Sequence, residues 1–309
     1  MRIIFNAIKT NLGDTGGCRT IIESCLALRN LGHDCDVATT KNRYTWRKFK
    51  TIDHVPPCDI CIAISVMDIH DTRHMPATHK LLWLRGPEWL WMGKEASIWK
   101  KMAGIRVVCN STWLVNHLGS KGIPSQVCYA GVDPWTNTNT WTREPVIGCL
   151  YSRRKSKRWY EFEELSRALG TGYKYVAFGL DGCGDKFVSS YLRNPKHEDL
   201  VRLYNGCKYW FSPSVMEGFH NPPFEAMACG AIPIVTKYQM GGTADYVIDG
   251  WNGVRYDSVF AAAKEIDRLE GMEFLRNLYL TNAKNRVTEI GTRAQAMKTL
   301  IETITGGQQ

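Results

Sequence analysis

Short apolar runs alternate with segments of helical period along almost the whole chain, and this alternation restricts the fold more than any other feature. RIIFNAI (2 to 8) is a short apolar strand and NLGDTGGC is a loop. TIIESCLALRNLG (20 to 32) then carries apolar residues at helical spacing and stops at Gly32, and CDVATT (35 to 40) is a second strand. Strand-like runs continue through DICIAIS (59 to 65), KLLWL (80 to 84), RVVCNS (106 to 111) and SQVCYA (125 to 130). Strands joined through helices run parallel, and strands apolar on both sides must be covered on both. The pattern predicts an α/β fold built on a doubly wound parallel sheet.

The segment GVDPWTNTNTWTREP (131 to 145) breaks the pattern, having no apolar period and much threonine, asparagine and proline. A second series follows: VIGCLYS (146 to 152), EFEELSRAL (161 to 169), YKYVAFG (173 to 179), HEDLVRLYNG (197 to 206), KYWFSPS (208 to 214), AIPIVT (231 to 236) and a helical tail from about 259 to 305. A length of 309 residues suits two such domains. The expected division is a first domain over 1–133, a linker over 134–145, a second domain over 146–290, and a C-terminal helix and tail over 291–309. Two α/β lobes of similar size would then face a cleft.

At 44% apolar and 22% charged, the composition excludes a disordered or fibrous chain. No stretch approaches the roughly 20 apolar residues needed to cross a bilayer, and MRIIFNAIKTNLG has too short an apolar run for a signal peptide. A cytoplasmic protein, with peripheral attachment to the inner membrane face as the alternative, is the expectation. The 11 cysteines are scattered through apolar segments, as buried reduced thiols are. Cys58 and Cys61 lack the second ligand pair a metal site would need, and read as residues of a buried strand.

Basic residues outnumber acidic ones, 39 to 30, and the excess is concentrated. KNRYTWRKFK (41 to 50) holds Lys41, Arg43, Arg47, Lys48 and Lys50 around Tyr44, Trp46 and Phe49; SRRKSKR (152 to 158) holds five cations in seven positions. Such runs are either solvated faces or contacts for a polyanion or an anionic membrane, where interleaved aromatics stack or insert.

Ligands of open α/β sheets bind beyond the carboxyl ends of the strands. The most informative such loop lies in KYWFSPSVMEGFHNPPFEAMACGAIPIVT. Glu217 and Gly218 follow a strand; Asn221 is placed to cap a short helix opened by Pro222 and Pro223; Glu225 lies in its first or second turn; Gly230 ends it. One glutamate would suffice to complement the helix dipole. Two, flanking a glycine turn near free amides, suit a ligand with hydroxyls and phosphate oxygens, a nucleotide sugar.

EGFHNPPFEAMACGAIPIV resembles the donor site of the retaining glycosyltransferases of family 4. Their pattern is a Glu-Gly-Phe-Gly run, a second Glu eight positions after the first, Ala-Met-Ala-Cys-Gly and a proline-containing strand. The resemblance implies the GT-B fold, two Rossmann-like domains with the C-terminal helix returning to the first. It implies that Glu217 contacts the transferred sugar, that the backbone of Gly218, Phe219, His220 and Asn221 meets sugar and diphosphate, and that Glu225 holds the ribose hydroxyls. GDTGGCRTIIESCLALRNLGHDCDVAT is similar to the family's first Gly-Gly loop and helix, which places Gly16 and Gly17 at the donor phosphate. GGTADYVIDGWNGV (241 to 254) is similar to its Gly-Gly-Glu-Asp-Gly-Asn-Gly stretch. Arg153 and Lys157 would bind the diphosphate, Arg154 or Arg158 being the alternatives one residue away. Fixed cations there lower the barrier to departure of the nucleoside diphosphate, in place of a metal, so no cofactor is expected.

The sequence departs from the family at His220, where glycine is usual, and in WLRGPEW, where Arg85 stands at the usual histidine position. Either Arg85 supports sugar or phosphate, or Asp68, His70 or His74 takes over. The expected reaction is retaining transfer of a hexose, UDP-glucose being the default donor, to a hydroxyl acceptor. By analogy the first domain binds the acceptor, through Lys41, Arg43, Tyr44, Trp46, Arg47 and Lys48. A hydroxymethylated base in DNA, with phosphates on the cations and Trp46 or Tyr44 stacked on the base, and a lipid-linked glycan at an anionic membrane are the alternatives. WLRGPEWLWMGKEASIWKK (83 to 101) would extend that surface. No protein partner is implied. A binding protein without catalysis is the reading from another class, whereas a Rossmann dehydrogenase is opposed by the absence of G-x-G-x-x-G.

Overall fold

Alternate residues of the first domain's strands face two apolar layers, and this places helices on both sides of its sheet. In the computed structural model, which describes residues 1–93, 95–133 and 144–306, the chain divides into two compact units, Met1–Gly131 with Gly291–Gln309, and Val132–Ile290. The linker expected over 134–145 lies, except for Glu144 and Pro145, outside the described residues.

The first unit runs β1 (Arg2–Asn6), α1 (Gly16–Asn30), β2 (Asp34–Ala38), β3 (Cys58–Ala63), α2 (Ile69–His74), β4 (Ala77–Leu84), α3 (Glu88–Met92), α4 (Glu95–Met102), β5 (Arg106–Cys109), α5 (Thr112–Gly119) and β6 (Ser125–Val127). Its six strands, all parallel, take the order β2-β1-β3-β4-β5-β6. Ile3, Phe5, Leu81 and Trp83 face Ile21, Cys25 and Leu28 of α1, while Leu82 and Leu84 face Trp89, Ile98, Leu114 and Leu118. α1 begins earlier than its apolar period because the Thr15 hydroxyl accepts the Cys18 amide at 3.2 Å and caps it.

The second unit runs β7 (Val146–Tyr151), α6 (Trp159–Leu169), β8 (Lys174–Gly179), β9 (Ser190–Arg193), α7 (His197–Gly206), β10 (Tyr209–Ser212), α8 (Asn221–Ala228), β11 (Ile232–Thr236), β12 (Val254–Tyr256), α9 (Val259–Gly271) and α10 (Glu273–Ile290). Its parallel order is β12-β11-β10-β7-β8-β9. Gly148 in β7 is obligatory: a Cβ there would lie 2.5 Å from the Trp210 ring and 2.6 Å from the Cys207 sulfur. Strand order reverses between β1 and β3 in one unit and between β7 and β10 in the other, so the crevices suited to ligands open at those carboxyl ends.

The helical tail is three helices, of which α11 (Arg293–Thr305) belongs to the first unit, as the sequence resemblance implied. Met297, Leu300, Ile301 and Ile304 join the core formed by α1 and β1. Gly131, at φ +67°, allows the approach, since a Cβ would meet the Thr292 carbonyl at 2.5 Å. All eleven cysteines are free. Among the described residues no helix is long and apolar enough to cross a membrane.

Because Leu300 is 1% exposed within that core, Leu300→Ala should destabilise the protein by about 2–5 kcal/mol in urea unfolding. A loss below about 0.5 kcal/mol would mean that α11 is an accessory tail.

Candidate functional site

In the second unit, the loop after β7 and the loop after β10 meet at the reversal of strand order. The first turns tightly through Lys155–Lys157 and leaves Arg158 left-handed at φ 45°. Its Ser156 carbonyl accepts the Val215 amide at 2.9 Å, which ties the loops together. The Met240 carbonyl accepts the Glu217 amide at 2.9 Å, and Gly241 leaves room for this approach, since a Cβ there would sit 3.0 Å from the Glu217 carbonyl oxygen.

Glu217 is the centre of this arrangement. Its Oε1 is ion-paired with the Lys157 ammonium, accepts the Ser214 hydroxyl at 2.6 Å, and lies 3.3 Å from His220 Nε2. Burial pushes the carboxyl up, but the His220 ring, the Lys157 ammonium and the Ser214 hydroxyl outweigh burial and hold it at about 2. His220 is itself buried, and burial lowers its imidazole to about 4 despite the neighbouring carboxylate. At neutral pH the site therefore holds a carboxylate and a neutral imidazole beside Lys157.

His220 occupies the left-handed region at φ 71°, ψ 75°, directly before α8. This corrects the expected cap: Asn221 is the first helical residue, and no side chain caps the helix. The chain is turned into the helix by the His220 backbone, whose carbonyl accepts the Tyr246 hydroxyl at 2.7 Å. Phe219, Phe224 and Tyr246 pack ring to ring beneath the turn. Glu225, buried at 2% exposure, accepts the Tyr204 hydroxyl at 2.9 Å.

The cation run divides by task. Lys157 is engaged by Glu217, and Arg158 pairs with Glu161 at 2.9 Å. Glu161 also accepts the Tyr256 hydroxyl at 2.7 Å, so Arg158 serves the core. Arg153, Arg154 and Lys155 are exposed, and their side chains form no ion pair among the described residues. Of the two cations expected at a diphosphate, Arg153 alone is uncommitted.

In the first unit, Arg85 and Gly17 are brought together. The Arg85 guanidinium donates to the Gly17 carbonyl, and to the Ile64 carbonyl at 2.7 Å. A Cβ on Gly17 would stand 3.1 Å from Arg85 Nη1. Asp68 is fully buried and accepts the Lys9 amide at 2.8 Å, the Thr10 amide at 3.2 Å and the Thr10 hydroxyl, fastening the β1 loop to the β3 loop. His70 and His74 are exposed on α2. Glu88, which the sequence did not single out, accepts the Ser65 hydroxyl at 2.6 Å and the Val66 amide at 3.0 Å, and burial raises its carboxyl.

A pocket of about 450 Å³ beside Gly16 is lined by Thr10, Asn11, Leu12, Gly13, Thr15, Cys18, Lys41 and Arg43. The aromatics of the basic run turn away from solvent. Tyr44 is 9% exposed in the apolar core, which corrects its expected role as a stacking surface. Trp46 packs on Tyr44 and under the Arg19 guanidinium, and Arg47 pairs with Glu23 at 2.9 Å. Lys41, Arg43, Lys48 and Lys50 remain exposed. Among the described residues no group of acidic, histidine or cysteine side chains is arranged to hold a metal.

Gln239 donates its amide to the Ser214 carbonyl and faces His220 Nδ1, each at 2.9 Å. Ser214, Gln239 and Tyr204, the neutral partners of the site, carried no sequence signal, because hydroxyls and amides are common.

Residues 188–286, a span that includes the Glu217 loop, match the family model for glycosyl transferases group 1. A stretch of 34 residues is 59% identical to the serotype-specific mannosyltransferase WbdA of Escherichia coli, spanning 11% of this chain and only 4% of that protein. The structure is similar to Anabaena Alr3699/HepE in complex with UDP-glucose, with a TM-score of 0.78 and 14% identity over 99% of this chain and 100% of that one. It is also similar to sucrose-phosphate synthase from Thermosynechococcus elongatus, with a TM-score of 0.74 and 13% identity over the whole of both chains. The fold is the GT-B fold of such proteins.

The depressed Glu217 carboxyl has a consequence for stability. Its folded value lies below the ordinary 4.5, so its contribution is fully present above about pH 5 and is lost as pH falls toward 2. The loss is on the order of 3 kcal/mol. Urea unfolding at stepped pH should show that component in the native protein and not in Glu217→Gln.

Proposed function

We propose that this protein is a retaining, metal-independent glycosyltransferase that moves a hexose from a UDP-sugar, UDP-glucose as the first choice, to a hydroxyl on an anionic acceptor. The observation that carries the reading is the ionised Glu217 at the reversal of strand order, flanked by uncommitted cations and lying inside the segment that matches the glycosyl transferases group 1 model. Binding of UDP-glucose by HepE, a protein of the same fold, supports the choice of nucleotide.

In this reading Arg153, with Arg154 and Lys155 beside it, takes the charge that grows on the departing diphosphate, the task a metal performs elsewhere. Glu217 accepts from a sugar hydroxyl and opposes the positive charge of an oxocarbenium-like state. Glu225, braced by Tyr204, takes the ribose hydroxyls. The chain supplies no nucleophile in this scheme: the acceptor attacks from the face the diphosphate leaves, and the departing phosphate oxygen takes its proton. The protein's contribution is to position two substrates and stabilise the separating charges.

An anionic acceptor is supported by Lys41 and Arg43 at the pocket of the first unit. With Tyr44 buried and Trp46 packed on Arg19, a phosphate- or carboxylate-bearing glycan or lipid fits this surface better than a base held by stacking. Arg85, fixed against Gly17, is read as a group that meets phosphate or sugar from this unit.

Thermal shift should respond to UDP and not to GDP, in proportion to occupancy. The product formed from UDP-glucose should keep the donor's anomeric configuration by proton NMR, and added EDTA should leave the rate unchanged. Silence from every nucleotide would overturn the reading. The double substitution Lys41→Glu with Arg43→Glu should leave slow donor hydrolysis intact and reduce transfer at least about tenfold, which corresponds to about 1.4 kcal/mol. Equal loss of both activities would assign these cations to the donor or to the fold.

A further inference from the structure

The helix α10 is apolar on two sides. Inward, Tyr279 and Ala283 are buried, and Leu275 and Leu280 pack on the core of the second unit. Outward, Phe274 is 83% exposed and Leu278 is 44% exposed. One exposed apolar side chain is ordinary, so what matters is the pattern around these two. The exposed positions 274, 278, 281, 285 and 288 follow at intervals of four and three, and they hold Phe274, Leu278, Thr281, Asn285 and Thr288. Such intervals draw a seam along a helix, as in a coiled coil. None of the five is charged, whereas a solvated helix face normally is. Charge stands on the flanks instead, Lys284 on one side and Glu289 on the other, both exposed.

More apolar surface borders the stripe. The turn that precedes β12 is laid along α10: the Trp251 carbonyl accepts the Asn282 side-chain amide at 2.9 Å, and the Asp245 carbonyl accepts Arg286 Nε at 3.0 Å. Leu278 lies one helical turn before Asn282, which places Trp251 within a turn of it. Trp251, Ile248 in the same turn and Met272 just ahead of α10 are all exposed. This face belongs to the amino edge of the sheet, since Glu270 takes the Lys208 ammonium at 2.8 Å and the Tyr209 hydroxyl at 2.6 Å where β10 begins. Glu217 lies beyond the carboxyl edge of the same sheet, so the donor-site reading makes no use of this face.

We infer that α10 is the seam of a homodimer, in which a second copy of this chain lays its own α10 parallel and in register against the outward stripe. A twofold axis along the stripe sets each copy's Phe274 and Leu278 against their counterparts and doubles every apolar side chain named above, Trp251, Ile248 and Met272 included. Doubling is what a patch of this kind needs to approach the roughly 1,200 Å² that a specific interface buries. Asn285 selects the register, because a single asparagine in a seam is satisfied when its counterpart lies opposite. Antiparallel pairing centred on Thr281 would instead put Phe274 on Thr288 and Leu278 on Asn285. In the parallel pair Lys284 of one copy meets Glu289 of the other across the seam, the arrangement of opposite charges that sets partner choice in coiled coils. Glu289 is also paired with Arg286 of its own chain at 2.7 Å, which holds it at the flank. An anionic bilayer fits less well, because the stripe itself has no cation and its flanks carry both signs.

Sedimentation equilibrium of the full chain at micromolar concentration should give twice the chain mass of 35.1 kDa. Phe274→Glu combined with Leu278→Glu should give the single mass, with the dissociation constant raised at least about a hundredfold. Both positions are exposed, so the far-ultraviolet circular dichroism of this variant should remain native. Lys284→Glu alone should weaken the dimer about tenfold, and adding Glu289→Lys should recover part of the loss. Under diamide, Thr288→Cys should form a covalent dimer that the native protein does not. A native chain that stays monomeric to about 100 μM, or a dimer that survives Phe274→Glu with Leu278→Glu, would overturn the seam. A dimer in which Thr288→Cys does not cross-link would overturn the parallel register. A monomer captured by vesicles of phosphatidylcholine and phosphatidylglycerol, and released from them by Phe274→Glu with Leu278→Glu, would assign the stripe to a bilayer and overturn the dimer.

Discussion

The second unit depends on one contact, the ion pair between Lys157 and Glu217 across the reversal of strand order. A carboxylate largely shielded from water is unfavourable unless charge and hydrogen bonds compensate it. The compensation here comes from two loops: Lys157 after β7, and Ser214 and His220 between β10 and α8. Each is set by backbone already fixed by the sheet. The carboxylate is therefore a product of the whole parallel arrangement, and its ionised state follows from where β7 and β10 end. The same pairing removes Lys157 from the free cations and leaves the charge outside it, on Arg153, Arg154 and Lys155, exposed to whatever anion approaches.

How much of this was legible depends on what each signal measures. The central strands were legible because burial on both faces forces continuous apolar runs, as in RIIFN, CDICIA and YWFS. The edge strands β9 and β12 were not: SYLR and VRY are short and border the sheet on one side only, so their composition is free to be mixed. Glu217 and Glu225 could be named from spacing, since a loop glutamate and a helical one eight positions on carry a recognisable pattern. Their partners could not. Ser214 and Gln239 are defined by where loops converge and Tyr204 by where α7 packs beside α8, and both are properties of topology. Asn221 shows the limit of local rules: its side chain suited a cap, but a left-handed residue before it had already turned the chain.

The basic-aromatic run illustrates a different failure. Alternating cations and rings read equally well as a binding surface or as a strap whose rings face inward. What decides is the partner helix. α1 offers Arg19, Glu23 and Arg29 along the face that the run crosses, and these take Trp46, Arg47 and Phe49 in turn. The rings are used to hold the segment down, and only the cations between them stay in water. Charge is thus the property of this surface that remains available, and stacking is not.

Arg85 brings the two units into one physical comparison. Both reversals of strand order carry a cation that spans loops, but the compensation differs. Lys157 is neutralised by a carboxylate, whereas Arg85 is held by the carbonyls of Gly17 and Ile64, which orient the guanidinium without cancelling its charge. The nearby carboxylates Glu88 and Asp68 accept from neutral donors, Glu88 from Ser65 and Val66 and Asp68 from Lys9 and Thr10, and both favour the charged guanidinium from a distance. The glycine at position 17 keeps the approach to that guanidinium open. A histidine there would be neutral at physiological pH unless its surroundings raised it, whereas guanidinium stays charged throughout. Position 85, where the family resemblance expects a histidine that can exchange a proton, thus carries a group whose positive charge is fixed.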